Sequence, residues 1–126
     1  FNILKMFIKE KEMHIITFNR DKDITSKSII PVEKIKVPIL ILSSKNDSVW
    51  PSYESGIYIE KKLEESGFPY QYKHVVYENM SHALITKLPF IYKMAFRAER
   101  TNAKACALDR ENMKKELLDW VNRVWK

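Results

Sequence analysis

Glycine is scarce. Only two of the 126 residues are glycine, Gly56 and Gly67, whereas the tight turns of an α/β enzyme normally consume many. A G-x-S-x-G nucleophile elbow needs a glycine on each side of its nucleophile. Gly56 and Gly67 do not stand at that spacing, so no such elbow exists within these residues. Cysteine is scarcer still. Cys106 stands alone, which excludes an internal disulfide and fits a reducing, cytoplasmic setting. No apolar run approaches the length of a bilayer span and no secretory leader is visible, so no membrane partner is expected. Basic clusters are also missing. Lys and Arg number 22 against 16 acids, for a net charge of +6 and a pI near 9.4, but they are spread along the chain without a nucleic-acid reader motif. Nucleic-acid binding is therefore not expected. The charge fits a solvated basic surface, and it also allows a mild attraction for anionic ligands such as cofactor phosphates.

What is present is ordinary for a globular domain: 45% apolar and 30% charged residues, enough for one modest core. The chain starts at Phe1 without an initiator Met and reads as part of a longer protein. Its most informative stretch runs from Lys36 to Ser52. Val37 to Leu42 is an almost unbroken apolar run, which reads as a strand buried on both faces of a parallel sheet. A polar turn with Asp47 follows, then Trp50 and Pro51, then a helical pattern. Open α/β sheets build their sites in such turns, at the carboxyl ends of strands. The competing reading of Asp47 is a turn or helix-cap residue.

The remaining pattern is coarser. Phe1 to Ile8 has helical spacing, Met13 to Phe18 reads as a short strand or further helix, and Asn19 to Lys27 reads as a loop. Residues 1–27 are left unassigned, and residues 28–126 are expected to form the α/β unit. A helix is expected from about Pro51 to Ser66, with Tyr53, Gly56, Ile57 and Leu63 inward and Glu60 solvated. Gly67 is placed to end it in a left-handed cap. A second strand is expected within Gln71 to Tyr77, parallel to the first. From about Asn102 to Trp125 an amphipathic helix is expected, with Met113, Leu117, Trp120, Val121 and Val124 as its core stripe. Pro89 to Phe96 is apolar and aromatic without clean periodicity.

Asp47 follows the first strand and His82 the second. In a parallel sheet both turns lie on one edge, so the pair is expected within hydrogen-bond reach. An acid on one imidazole nitrogen fixes the tautomer and leaves the other nitrogen as a base. The competing reading of His82 is a loop histidine without a role. His74, inside the second strand, is expected to be structural. Cys106, inside the last helix, is expected to be buried and inert. Asp47 and His82 are thus the acid and base of a nucleophile–His–Asp triad without its nucleophile.

Several segments carry a resemblance. Ile30 to Ile35, Ser44-Lys45-Asn46-Asp47, Val49-Trp50-Pro51-Ser52, Leu63, Gly67-Phe68-Pro69-Tyr70, Tyr77, His82 and Thr101 to Ala105 resemble the C-terminal domain of the acyl-CoA thioesterase / bile acid-CoA:amino acid N-acyltransferase family. That family is a dienelactone-hydrolase-like branch of the α/β hydrolases. The resemblance implies the C-terminal part of an α/β-hydrolase sheet: parallel strands, crossover helices and a long C-terminal helix. It implies Asp47 as acid, His82 as base, a Ser or Cys nucleophile upstream, and an ester or acyl-CoA thioester as substrate, with no metal or resident cofactor. The pattern departs from the family at Ser44, where Gly is usual, and at Asn79-Met80-Ser81, which replaces a Gly-containing turn.

The chain alone is therefore expected to be inactive, completed by an N-terminal part of the same protein. The rival is a non-catalytic α/β interaction or dimerisation module on a hydrolase-like scaffold. An unpaired edge of the first strand is expected to be covered by residues 1–18 or by a second copy, giving a homo-oligomer.

Overall fold

The computed structural model describes residues 29–125. The expectations for Phe1 to Ile8, Met13 to Phe18, Asn19 to Lys27 and the cover of a strand edge by residues 1–18 lie outside those residues. A 3₁₀ turn, Val32–Lys34, leads into strand β1, Ile39–Ser44. Helix α1, Ser52–Glu65, connects it to β2, Tyr72–Tyr77. Two short helices follow, α2 (Phe90–Ala95) and α3 (Arg97–Thr101), and then the long α4, Ala103–Val124. β1 and β2 pair in parallel, with Ile39 opposite Tyr72 and Ser44 opposite Tyr77. This is the βαβ unit and long last helix of an α/β fold, as expected from the sequence.

β1 starts at Ile39 and not at Val37. Pro38 has no N–H to give a ladder, and the first ladder-side donor is Ile39 N–H, to the Gln71 carbonyl at 2.9 Å. Burial on both faces is reached only toward the carboxyl end of the run. Val37 is 58% exposed, Ile39, Leu40 and Leu42 are half-buried, and Ile41, Ser43 and Ser44 are buried. Among the described residues β1 has a single β partner, and burial deepens toward its carboxyl end, where the loops and helices converge.

Alternation along the strands separates two cores. Ile39, Ile41 and Tyr72 pack with Ile59, Leu63 and Phe68 around α1. On the other face Leu42, Val75 and Tyr77 pack with Met80, Met113 and Leu117 around α4. The sheet is thus sandwiched between α1 and α4.

α1 stops where the sequence says it should. Gly67 has φ +62. Its N–H donates to the Glu64 carbonyl and the Phe68 N–H to the Leu63 carbonyl, each at 3.0 Å. That is a Schellman cap, and the contact it brings is the Leu63–Phe68 pair of the first core. The inward face is Gly56, Ile59 and Leu63, while Ile57 is 44% exposed. Gly56, Ile59 and Leu63 are spaced by three and four residues and so share a helix face, from which Ile57 is turned away.

α4 likewise departs from the expected stripe. Cys106, Arg110, Met113 and Trp120 are buried and Leu117 and Val124 half-buried, but Val121 is 48% exposed. Steps of four and three from Cys106 run through Arg110, Met113, Leu117, Trp120 and Val124, and miss Val121. Arg110 is therefore a charge inside an apolar stripe.

Candidate functional site

The site lies at the carboxyl edge of the β1–β2 pair. Parallel pairing carries both chain directions out of the sheet on the same side, and the two loops are then stitched together. Lys45 N–H continues the ladder to the Tyr77 carbonyl at 3.0 Å. The Asn46 side-chain amide donates to the Glu78 carbonyl at 3.1 Å. Ser44 Oγ donates to the Met80 carbonyl at 2.5 Å. These bonds set Asp47 beside His82.

His82 Nδ1 lies 3.0 Å from both carboxylate oxygens of Asp47. The Asp47 side chain is 2% exposed and that of His82 is 45% exposed. Asp47 Oδ1 also accepts from the N–H groups of Val49 at 3.0 Å and Trp50 at 2.9 Å. Asp47 therefore organises the turn into α1 and also holds the histidine. Burial pushes the Asp47 carboxyl up, but hydrogen bonds from His82, the Trp50 N–H and Ser52 outweigh it and hold the group below the usual carboxylate range. An ionised carboxylate only accepts, so His82 Nδ1 carries the proton. In the neutral ring the lone pair is then on Nε2. The hydrogen bond to Asp47 raises the His82 pKa above its ordinary value, against the opposing effect of burial.

The departures from the expected turns are accommodated. Among the described residues no non-glycine has positive φ, so Asn79-Met80-Ser81 bends without the backbone freedom of glycine. Ser44, standing where Gly is usual, contributes its hydroxyl to the Met80 carbonyl and accepts from Asn46 N–H at 3.2 Å.

A second serine–histidine–acid chain runs under α1. Ser43 Oγ is 2.7 Å from His74 Nε2, and His74 Nδ1 is 3.3 Å from Glu60 Oε2. Its connectivity is that of a triad, but Ser43 is 0% exposed and the His74 side chain 3%. No substrate carbonyl reaches that hydroxyl, and the set is structural, as expected of His74. Glu60, expected to be solvated, is half-exposed and tied to it. The legible signal was Gly56. A glycine inside a helix costs about 1 kcal/mol against alanine, and here it makes room: a Cβ at Gly56 would lie 2.3 Å from His74 Nε2.

Behind His82 lies a buried ionic cluster that the sequence did not announce. Glu99 is 4% exposed and Arg110 7%. Arg110 Nη2 donates to Glu99 Oε1 at 2.5 Å and Nη1 to Oε2 at 3.1 Å. Glu99 Oε1 also accepts from Ser81 Oγ at 2.8 Å and Ser81 N–H at 3.3 Å. Burial pushes the Glu99 carboxyl up, but Arg110 and Ser81 outweigh it and hold it below the usual range. Cys106, beside this cluster, is fully buried, and burial pushes its thiol up to about 11. It is inert at neutral pH, as expected.

The comparisons with known proteins bear on residues 5–103, where the chain matches the family model described as BAAT / acyl-CoA thioester hydrolase C terminal. The matched segment starts well before Ser28 and ends at the first residue of α4. No curated protein and no solved structure gives a significant match. Among the described residues no group of acids, histidines and cysteine is arranged to hold a metal ion, and no helix is long and apolar enough to cross a membrane.

Proposed function

Since the chain belongs to the BAAT / acyl-CoA thioester hydrolase C-terminal family, we propose that it supplies the acid and base of an acyl-transfer site for an ester or acyl-CoA thioester. Asp47 is the acid, His82 the base, and the nucleophile comes from outside these 126 residues. The observation that carries this reading is the Asp47–His82 hydrogen bond at the carboxyl edge of a parallel sheet, with the acid buried and the ring half-exposed.

The chemistry follows from the tautomer. Nε2 takes the proton of a Ser or Cys nucleophile as that group attacks the acyl carbon. The imidazolium so formed is stabilised by Asp47. It returns the proton to the departing thiolate or alkoxide as the bond from the acyl carbon breaks, leaving an acyl-enzyme. His82 then deprotonates water, or an amine acceptor in a transferase, to release the acyl group and regenerate the nucleophile.

The test has two arms. The 126-residue chain should show no hydrolysis of acyl-CoA above background. The longer polypeptide encoded by the same reading frame should hydrolyse it and lose that activity with His82→Ala. Turnover by residues 1–126 alone that survives separate Ser48→Ala and Ser81→Ala changes would show that the chemistry lies elsewhere. A longer polypeptide with no G-x-[SC]-x-G and no turnover would favour a non-catalytic interaction module.

A further inference from the structure

The loop that presents His82 is held from residue to residue by groups outside it. Asn79 N–H donates to Asp109 Oδ2 at 2.8 Å and its carbonyl accepts from Cys106 Sγ at 3.1 Å. The Met80 carbonyl accepts from Ser44 Oγ. Ser81 is fully buried. Its N–H and Oγ both bind Glu99 Oε1, and its Oγ accepts from Ala83 N–H at 3.3 Å. Ser81 thus grips the backbone on both sides of His82, and it is itself gripped by Glu99. Glu99 is fixed in turn by the paired bonds from Arg110, whose Nη1 also donates to the Cys106 carbonyl at 3.3 Å.

We propose that Glu99 and Arg110 are positioning residues for His82, acting through Ser81. Neither touches a reacting atom. Their part is to fix the backbone either side of the imidazole, so that Nδ1 stays on the buried Asp47 and Nε2 is aimed at the nucleophile. Two facts separate this from a purely structural ion pair. A buried pair is often no better for stability than apolar residues of the same volume, so stability alone gives little reason for it. And Glu99 accepts two further hydrogen bonds from one residue, Ser81, the neighbour of the base. The inference rests on the reading of His82 as that base.

The test uses Ser81→Ala and the double change Glu99→Leu with Arg110→Leu. The double change keeps an apolar volume without leaving one buried charge unpaired. The first readout is the titration midpoint of His82 by NMR on the isotope-labelled full chain, which needs no activity. Asp47 is the charged group acting on that ring. In the wild type the midpoint should lie above the ordinary imidazole value. In both variants, at an unchanged or nearly unchanged unfolding midpoint, it should fall by about 0.5 pH unit, or about threefold in proton affinity. In the longer active polypeptide kcat should fall at least about tenfold with KM nearly unchanged, as expected for loss of alignment. A folded Ser81→Ala chain with the wild-type His82 midpoint, and wild-type kcat in the longer polypeptide, overturns the proposal. If the double variant fails to fold, Ser81→Ala decides alone. Full activity of His82→Ala would instead overturn the reading of His82 as base, and the NMR result would still decide whether the cluster positions the ring.

Discussion

Two histidines in this protein sit between a serine and a carboxylate, or beside them, and they face opposite demands. His74 bridges Ser43 and Glu60 with its ring covered by α1. His82 rests on Asp47 and has nearly half its side chain open. In the first set the acid is half-exposed and the hydroxyl sealed; in the second the acid is sealed and the ring open. Hydrogen-bond connectivity alone therefore does not tell a candidate catalytic set from a structural one. What distinguishes the two is which end meets solvent. A buried acid keeps a directed bond to Nδ1, and an open ring offers Nε2 to an incoming proton. The reverse arrangement ties a helix to a strand.

The two sets differ most in their expected effect on turnover. In the longer polypeptide Asp47→Asn should lower kcat by about 10⁴, as loss of the orienting acid does in serine hydrolases. Glu60→Gln, which alters the half-exposed acid of the other set, should leave kcat within a fewfold of wild type. Because the bond to Asp47 raises the His82 pKa and the neutral ring is the proposed base, the rising limb of kcat/KM against pH should be centred above 6.5. Steady-state acyl-CoA hydrolysis measures all of this. Equal losses from Asp47→Asn and Glu60→Gln would erase the distinction between the two sets.

The next effect is on stability and belongs to His74. Alanine at Gly56 would place its Cβ 2.3 Å from Nε2 and 2.6 Å from Cε1 of a ring held by Ser43 and Glu60. Overpacking of this kind costs about 1–3 kcal/mol, against the gain of about 1 kcal/mol from replacing a helical glycine. Gly56→Ala should therefore lower the urea midpoint. In a His74→Ala background the clash is gone, and the same change should raise it. A double-mutant cycle reads the coupling directly, and additive effects would show that the ring does not occupy the space under Gly56.

Much of this was legible. The two strands, the crossover helix and the Gly67 cap follow from local pattern, because each element depends on residues close in sequence. Asp47 and His82 were legible as well, because a parallel pair sends both loops to one edge. What was hidden is side-chain pairing between elements. Glu99 and Arg110 lie on α3 and α4, where charges read as solvated faces. Only the placement of Arg110 in step with Cys106, Met113, Leu117 and Trp120 marked it as inward. The burial expected of Val37 failed because apolar character gives the strand's preference, while exposure is set by the layers that cover each end.

The smallest effect concerns the contribution of the Asp47–His82 pair to folding, and its sign is fixed by the two shifts. The His82 pKa is raised in the folded chain, so its share of stability is complete below the ordinary imidazole value of about 6.5 and is lost as pH rises through the folded value. The Asp47 pKa is lowered, so its share is present above the ordinary value of about 3.9 and is lost as pH falls through the folded one. The pair should stabilise most between about pH 4 and 6.5. His82 is 45% exposed, so screening keeps the pair's worth to about 1 kcal/mol or less, equivalent to a few degrees in Tm. The Tm difference between wild type and Asp47→Asn should therefore be widest near pH 5.5 and narrow toward pH 8. It should not close there, because when His82 is neutral the ionised Asp47 still accepts from the N–H groups of Val49 and Trp50 more strongly than the amide oxygen of Asn would. A difference that stays flat from pH 5 to 8 would mean that the buried carboxylate serves the turn alone, and that the contact with the histidine adds nothing to the fold.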